Sequence, residues 1–169
     1  MVINRKTFIL YSKNFIFGAE DSLVSTVGLL SGIASAGIAQ KEIVISGVVL
    51  ICVEAFSMSV GSFLSESAIE ESDSGCITCK TEKSNSLFAS VIMFASYFVC
   101  GLIPLFPYLI IPVEKAFLGS IMASLGSLFV LGVVSAKILK INILKNSLKM
   151  IIIGGMAIGF GVTIGVMLK

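Results

Sequence analysis

Glu54 stands near the middle of an unbroken apolar run, residues 43–64, and Asp21 lies inside the apolar run before it. A carboxylate at the centre of a membrane-crossing helix costs about 2.5–3.5 kcal/mol on insertion scales, so an ionisable residue there marks a functional site by default. The two runs are joined by a few residues around Gln40, Lys41 and Glu42, which makes them antiparallel neighbours. Folding the chain about a turn near Ala39 and Gln40 sets Asp21 at the level of Met58 and Ser25 at the level of Glu54. Within each run the partners are four residues apart, so Asp21 shares a helix face with Ser25, and Glu54 shares one with Met58. Two carboxylates, a hydroxyl and a thioether are thereby expected to converge.

Carboxylates hold hard or borderline divalent cations such as Mn²⁺ and Fe²⁺, and a thioether adds softness that disfavours Mg²⁺ and Ca²⁺. A carboxylate pair in low dielectric can also carry a proton, so cation and proton compete for the same groups, the physical basis of exchange. Each residue also has a plainer reading. Asp21 at the start of a helix beginning at Ser22 would be an N-cap. Glu54 is too central to snorkel, and its plainer role is a hydrogen bond to a neighbouring helix. Met58 taken alone is ordinary packing.

The elements that must position these side chains follow from composition. With 56% hydrophobic and 13% charged residues among 169, and a mean hydropathy of +1.05, the chain reads as an integral membrane protein. The apolar runs cover about 15–38, 43–64, 87–111, 116–136 and 148–168, each with the roughly 20 residues needed to cross a bilayer. The expected fold is all-α and polytopic: one transmembrane domain of five helices, with residues 66–86 left as a short loop. Lysine and arginine set the orientation. Arg5, Lys6, Lys13, Lys80, Lys83, Lys137, Lys140, Lys145 and Lys149 fall on one side, and only Lys41, Lys115 and Lys169 on the other. The positive-inside rule then makes the N-terminus cytoplasmic. Because the basic residues sit at helix ends and form no stripe, nucleic acid is not an expected partner. The first run is longer than a signal-peptide core and is interrupted by Asp21, so the first helix is expected to remain in the mature protein.

Histidine is absent, which leaves oxygen and sulfur for any metal site. Cys52 and Cys100 lie in apolar runs and are expected to be small buried hydrophobes, while Cys76 and Cys79 share the polar loop. With Glu66, Glu70 and Glu71 they form a candidate cytoplasmic metal-capture segment. One Cys-x-x-Cys pair is half of a tetrahedral site, however, and a solvated loop is the simpler reading. Gly28 and Gly32 with Ala36, and the pairs Gly155–Gly159 and Gly161–Gly165, present small faces for close helix packing, within the chain or across a dimer. Pro104 and Pro107 are expected to end the third span, or else to free carbonyls toward a cavity.

Taken together, Gly18-Ala19-Glu20-Asp21-Ser22-Leu23, the small-residue run Gly28-Leu29-Leu30-Ser31-Gly32, and the second-run segment Ser57-Met58-Ser59-Val60-Gly61 resemble the vacuolar iron transporter family. Ser96-Tyr97-Phe98-Val99-Cys100-Gly101 resembles its third helix, and the likeness runs in order along nearly the whole chain. It implies a five-helix homodimer that moves Fe²⁺ or Mn²⁺ out of the cytosol, usually against protons, along a path that includes Asp21, Met58 and, from the third helix, Tyr97. Glu54 matches a position that is acidic in only part of the family, so its role rests on its depth. Three departures stand out. Ser22 replaces a glycine, Ser62 replaces an acidic residue, and the segment between the second and third helices is too short for the glutamate-rich metal-binding domain of many members.

The reading is therefore a transporter of divalent transition metal ions, without a resident cofactor, multi-pass in a vacuolar-type or plasma membrane. Alternatives are a small proton-coupled exporter of organic cations and a non-transporting assembly subunit. An enzyme is disfavoured: no nucleophile with an adjacent base and no phosphate-cradling glycine loop is present.

Overall fold

A computed structural model describes residues 5–74 and 86–169, and the regular structure among them is entirely helical. The five helices are α1 (Arg5–Ser35), α2 (Gln40–Ser74), α3 (Ser86–Ile110), α4 (Val113–Leu139) and α5 (Ile143–Met167). All five are long and apolar enough to cross a membrane. Helix α1 packs against each of the other four, with α2 and α3 on one side and α4 and α5 on the other. Its most apolar stretch is 61% buried against 17% for α5, which makes α1 the axis of the bundle.

Two helices outrun their apolar stretches. Helix α1 begins at Arg5 rather than near residue 15, and α2 continues to Ser74, so residues 66–74 are helix rather than loop. The reason is local: hydropathy ends at the membrane surface, but backbone hydrogen bonding goes on until a breaker, and neither glycine nor proline interrupts residues 62–74. Asp21 therefore lies sixteen residues inside α1 and caps nothing.

The helix ends are pinned by specific groups. Helix α1 closes through Gly37, whose φ of +80° falls in the left-handed region that glycine occupies without strain. The Tyr108 carbonyl would accept from the amide of residue 112, but that residue is a proline and has no N–H. The Gln40 side-chain amide replaces that donor at 2.7 Å and also donates to Ile111 O at 3.2 Å, tying the start of α2 to the end of α3. Asn142 caps α5, accepting from the Lys145 amide at 3.3 Å. Pro104 and Pro107 do not end the third span, since α3 runs through both to Ile110. The Pro104 carbonyl accepts the Ser120 hydroxyl of α4 at 2.7 Å.

Small side chains set the helix spacing. The buried Ser96, Ser124 and Ser135 return their hydroxyls to backbone oxygens three or four residues earlier in their own helix, so they pack as small residues with no unmet donor. On α1 and α5, which run parallel, a Cβ on Gly32 would come within 2.8 Å of Gly161 O, and one on Gly28 within 3.3 Å of Ala157 O. The reciprocal positions Gly161 and Gly165 abut the backbone of Gly28 and Gly32. The Gly28–Gly32 and Gly161–Gly165 faces are thus spent on each other inside one chain. Gly155 and Gly159 meet nothing within 4 Å. Cys100 is half-buried, but Cys52 is exposed on the outside of the bundle, contrary to its expected burial, because α2 turns that face away from α1 and α3.

Candidate functional site

The site is built where α1, α2 and α3 meet. Close approach of α1 to α3 comes first: a Cβ on Gly101 would lie 2.7 Å from Ser22 Oγ and 2.8 Å from Ile51, so only glycine lets the three helices close at this height. The Ser22 hydroxyl donates to the Tyr97 carbonyl at 2.6 Å, which fixes the backbone carrying Tyr97. The serine that departs from the family pattern thus has a definite structural task.

From that anchored backbone the Tyr97 ring, itself fully buried, reaches across to α2. Its hydroxyl hydrogen-bonds Oε2 of Glu54, and Ser25 of α1 lies 2.7 Å from the same hydroxyl and 3.2 Å from the same carboxylate oxygen. Tyr97, Ser25 and Glu54 form a triangle in which two hydroxyl protons serve three contacts. One contact is therefore always without a proton, and the carboxylate keeps lone pairs to offer.

Asp21 sits one helical turn before Ser25, half-buried, with its charge in range of the Glu54 carboxylate. Among the described residues no side chain donates a hydrogen bond to it. Two bonded rungs fix the α1–α2 register: Ser25 to Glu54, and the Ser62 hydroxyl donating to Asn14 Oδ1 at 3.3 Å. Interpolating between them puts Asp21 at the height of residues 55–58. Met58, half-buried, follows Glu54 by four residues on the same helix. The structure thus brings together Asp21, Ser25, Glu54 and Tyr97, and sets Met58 one turn from Glu54 at the level of Asp21.

Of the candidate capture residues, only Glu66 has a described side chain, and it does not join them. Glu66 is half-buried on α2, about 18 Å along the axis from Glu54 at 1.5 Å per residue. The side chains of Glu70 and Glu71, and Cys76 and Cys79 altogether, lie outside the described residues. Among the described residues no three His, Cys, Asp or Glu side chains converge as a metal cluster. The donor set at the centre is two carboxylates with neutral oxygen and sulfur around them.

Two features escaped sequence reasoning. Asn14, 5% exposed, forms the rung with Ser62 two turns below Asp21, and its Nδ2 has no partner. Its spacing of seven from Asp21, which places both on one helical face, was the available signal. Glu20 is a further half-buried carboxylate, its charge in range of Asp21 and of Lys149 on α5. No sequence pattern reveals that partner, because it depends on α5 lying beside α1.

Five apolar helices around a half-buried pair of carboxylates define a multi-pass integral membrane protein with a polar, ion-competent interior. No curated protein matches the chain. The family comparison is decisive instead: the model of the VIT family matches residues 12–75 and 68–166. The protein belongs to the VIT, or vacuolar iron transporter, family of membrane metal-ion transporters.

Proposed function

We propose that this protein moves divalent transition metal ions, Fe²⁺ or Mn²⁺, out of the cytosol in exchange for protons, through Asp21, Ser25, Glu54, Met58 and Tyr97. The observation that carries the reading is the meeting of Ser25 and Tyr97 on one oxygen of Glu54, with Asp21 a turn away, in the middle of three membrane-crossing helices. The distribution of lysine and arginine sets the N-terminus in the cytosol. The ion then enters from the end where α1 and α2 extend beyond the bundle.

At the site the arriving cation competes with protons for carboxylate lone pairs. With no ion present, the Tyr97 and Ser25 hydroxyls hold Glu54 in position, so the carboxylate pays little reorganisation when the ion arrives. A divalent ion between Asp21 and Glu54 neutralises both charges, which two monovalent protons also do, and that equivalence supports an exchange of one for the other. The Met58 thioether favours Fe²⁺ and Mn²⁺ over Mg²⁺ and Ca²⁺. Glu66, Glu70, Glu71, Cys76 and Cys79 remain candidates for capture at the cytosolic mouth. As in the resemblance, the working form is taken to be a homodimer.

Proteoliposome flux of Fe²⁺ and Mn²⁺, with and without an imposed pH gradient, tests the proposal. Flux of either metal that rises with an opposing proton gradient and disappears in Glu54→Gln is the expected result. Metal flux indifferent to both Glu54→Gln and Asp21→Asn would reject the assigned pathway, and pH-independent flux would reject exchange.

A further inference from the structure

Helix α5 turns one face away from α1, and that face is grooved. Lys145, Leu148, Lys149, Ile152, Ile153 and Met156 line a depression of about 400 Å³ whose surface is almost wholly apolar below the two lysines. These positions recur every three or four residues and so form one continuous strip. The buried residues of α5, Ser147, Met150, Gly154 and Gly165, lie on the opposite side. From Lys145 to Met156 the strip rises about 16 Å, close to half of the roughly 30 Å hydrocarbon core. It starts at the end of α5 that carries the N-terminal amide cap and stops near the bilayer centre.

We infer that this strip is a binding site for an anionic phospholipid of the cytoplasmic leaflet, with the head-group phosphate on Lys145 and Lys149 and one acyl chain along Leu148, Ile152, Ile153 and Met156. Charge and length both select this occupant. Among the described residues no acidic side chain lines the groove itself; Glu20, which the Lys149 charge reaches, stands outside it on α1, so the pair of lysines keeps positive charge for an anion. The apolar floor has the length of one leaflet and suits a hydrocarbon chain rather than a soluble anion. A second copy of the protein is a poor occupant, because a two-fold contact along this strip would set the lysines of both copies against each other. The site also lies near the ion pathway, since the Lys149 charge reaches Glu20, the residue next to Asp21.

The chain has no tryptophan, so Gly155→Trp, at an open position beside Met156, introduces a single fluorophore at the deep end of the groove. In vesicles containing brominated phosphatidylglycerol or brominated phosphatidylcholine, quenching of that tryptophan reports which lipid occupies the strip. At about 1 kcal/mol for each surface lysine, phosphatidylglycerol is expected to be favoured about thirtyfold, and Lys145→Gln/Lys149→Gln is expected to abolish the preference. Lys41→Gln/Lys115→Gln removes the same charge from the other end of the bundle and is expected to leave the preference intact. The inference is overturned by an equal affinity for both lipids, or by the control pair lowering the preference as much as the groove pair. It is also overturned if inorganic phosphate displaces the brominated lipid, which would make the site a simple anion site. A particle mass showing that Gly155→Trp separates two copies, without any change in quenching between lipids, would assign the face to a protein contact instead.

Discussion

The two sides of α1 make opposite demands on their residues. Toward α2 and α3 the helix presents Asp21, Ser22 and Ser25: the two hydroxyls are held by hydrogen bonds, and the carboxylate lies in range of Glu54. Toward α5 it presents Gly28 and Gly32, where two backbones touch and no side chain fits. The first side is defined by which atoms are present, the second by which are absent. Substitutions should therefore separate cleanly: volume changes on the α5 side destroy the fold, and chemistry changes on the α2–α3 side leave the fold and remove function.

The largest effect is expected at the seam. Gly161→Leu drives a branched side chain into the Gly28 carbonyl, where neither backbone can retreat without separating α1 from α5 along several turns. The cost should exceed about 3 kcal/mol, beyond the ordinary range for overpacking a core, because the obstacle is backbone rather than a flexible side chain. Size-exclusion profiles of detergent-extracted protein should show loss of the folded peak. A well-folded Gly161→Leu protein would show that the α1–α5 seam does not carry the bundle.

On the other side, Glu54→Gln should leave that folded peak in place. The amide is nearly isosteric and still accepts from Tyr97 and Ser25, but it offers a dipole where the ion needs a charge. Metal flux in proteoliposomes should fall by more than about a hundredfold, beyond what loss of a group that only supports a ligand costs. If Glu54→Gln instead unfolds the protein while flux per folded molecule is unchanged, the carboxylate is an assembly element and the contrast between the two sides of α1 collapses.

This contrast also explains what could be read in advance. Five spans, the antiparallel first pair, and the approach of Ser25 to Glu54 all follow from run lengths and one short turn, because a two-helix hairpin has a single register. Asp21 was legible as polar at depth but ambiguous as a cap, since its role depended on whether the residues before it were helical. They are, and the polar stretch from Arg5 to Asn14 hides that fact from any hydropathy pattern. Tyr97 came only through the family resemblance. Its reach to Glu54 depends on Gly101 and Ser22 closing α3 onto α1, a contact between helices 75 residues apart in sequence. The glycine faces were visible as small residues, but whether Gly161 met Gly28 or a second chain depended on which helices are neighbours. The prolines misled for a related reason: α3 runs on through both of them while packed against α1, α2 and α4, and that packing depends on helices far away in sequence.

Tyr97→Phe sharpens the chemical side further. It keeps the ring that fills the α1–α3 contact and deletes only the hydroxyl shared by Ser25 and Glu54. A hydrogen bond to a charged group is worth about 1.5–3 kcal/mol, so flux at limiting metal should fall by about tenfold or somewhat more, with Ser25 still holding the carboxylate. A smaller effect is expected for Met58→Leu. The volumes are close, so stability should be kept, while loss of sulfur should narrow the preference for Fe²⁺ and Mn²⁺ over Mg²⁺ by a few-fold. Competition of Mg²⁺ against Mn²⁺ flux measures this directly, and identical competition in mutant and parent would remove Met58 from the ligand set.

The smallest effect is the most discriminating for the seam. Gly155 and Gly159 lie on the same helix as Gly161 and Gly165, with the same spacing, yet a Cβ at either would meet nothing within 4 Å. If the α5 glycines matter only where two backbones touch, then Gly155→Ala/Gly159→Ala should leave thermal stability in detergent within about 0.5 kcal/mol of the parent, or raise it slightly because alanine favours a helix over glycine. Gly161→Ala, one methyl in the same helix, should lower it clearly. All three changes are glycine to alanine within one helix, so the sign of the effect is set by what lies opposite each methyl group. Should the outward pair destabilise as much as Gly161→Ala, or convert a dimer to a monomer, then a second chain covers that face, and the glycine requirement belongs to α5 as a whole rather than to its contact with α1.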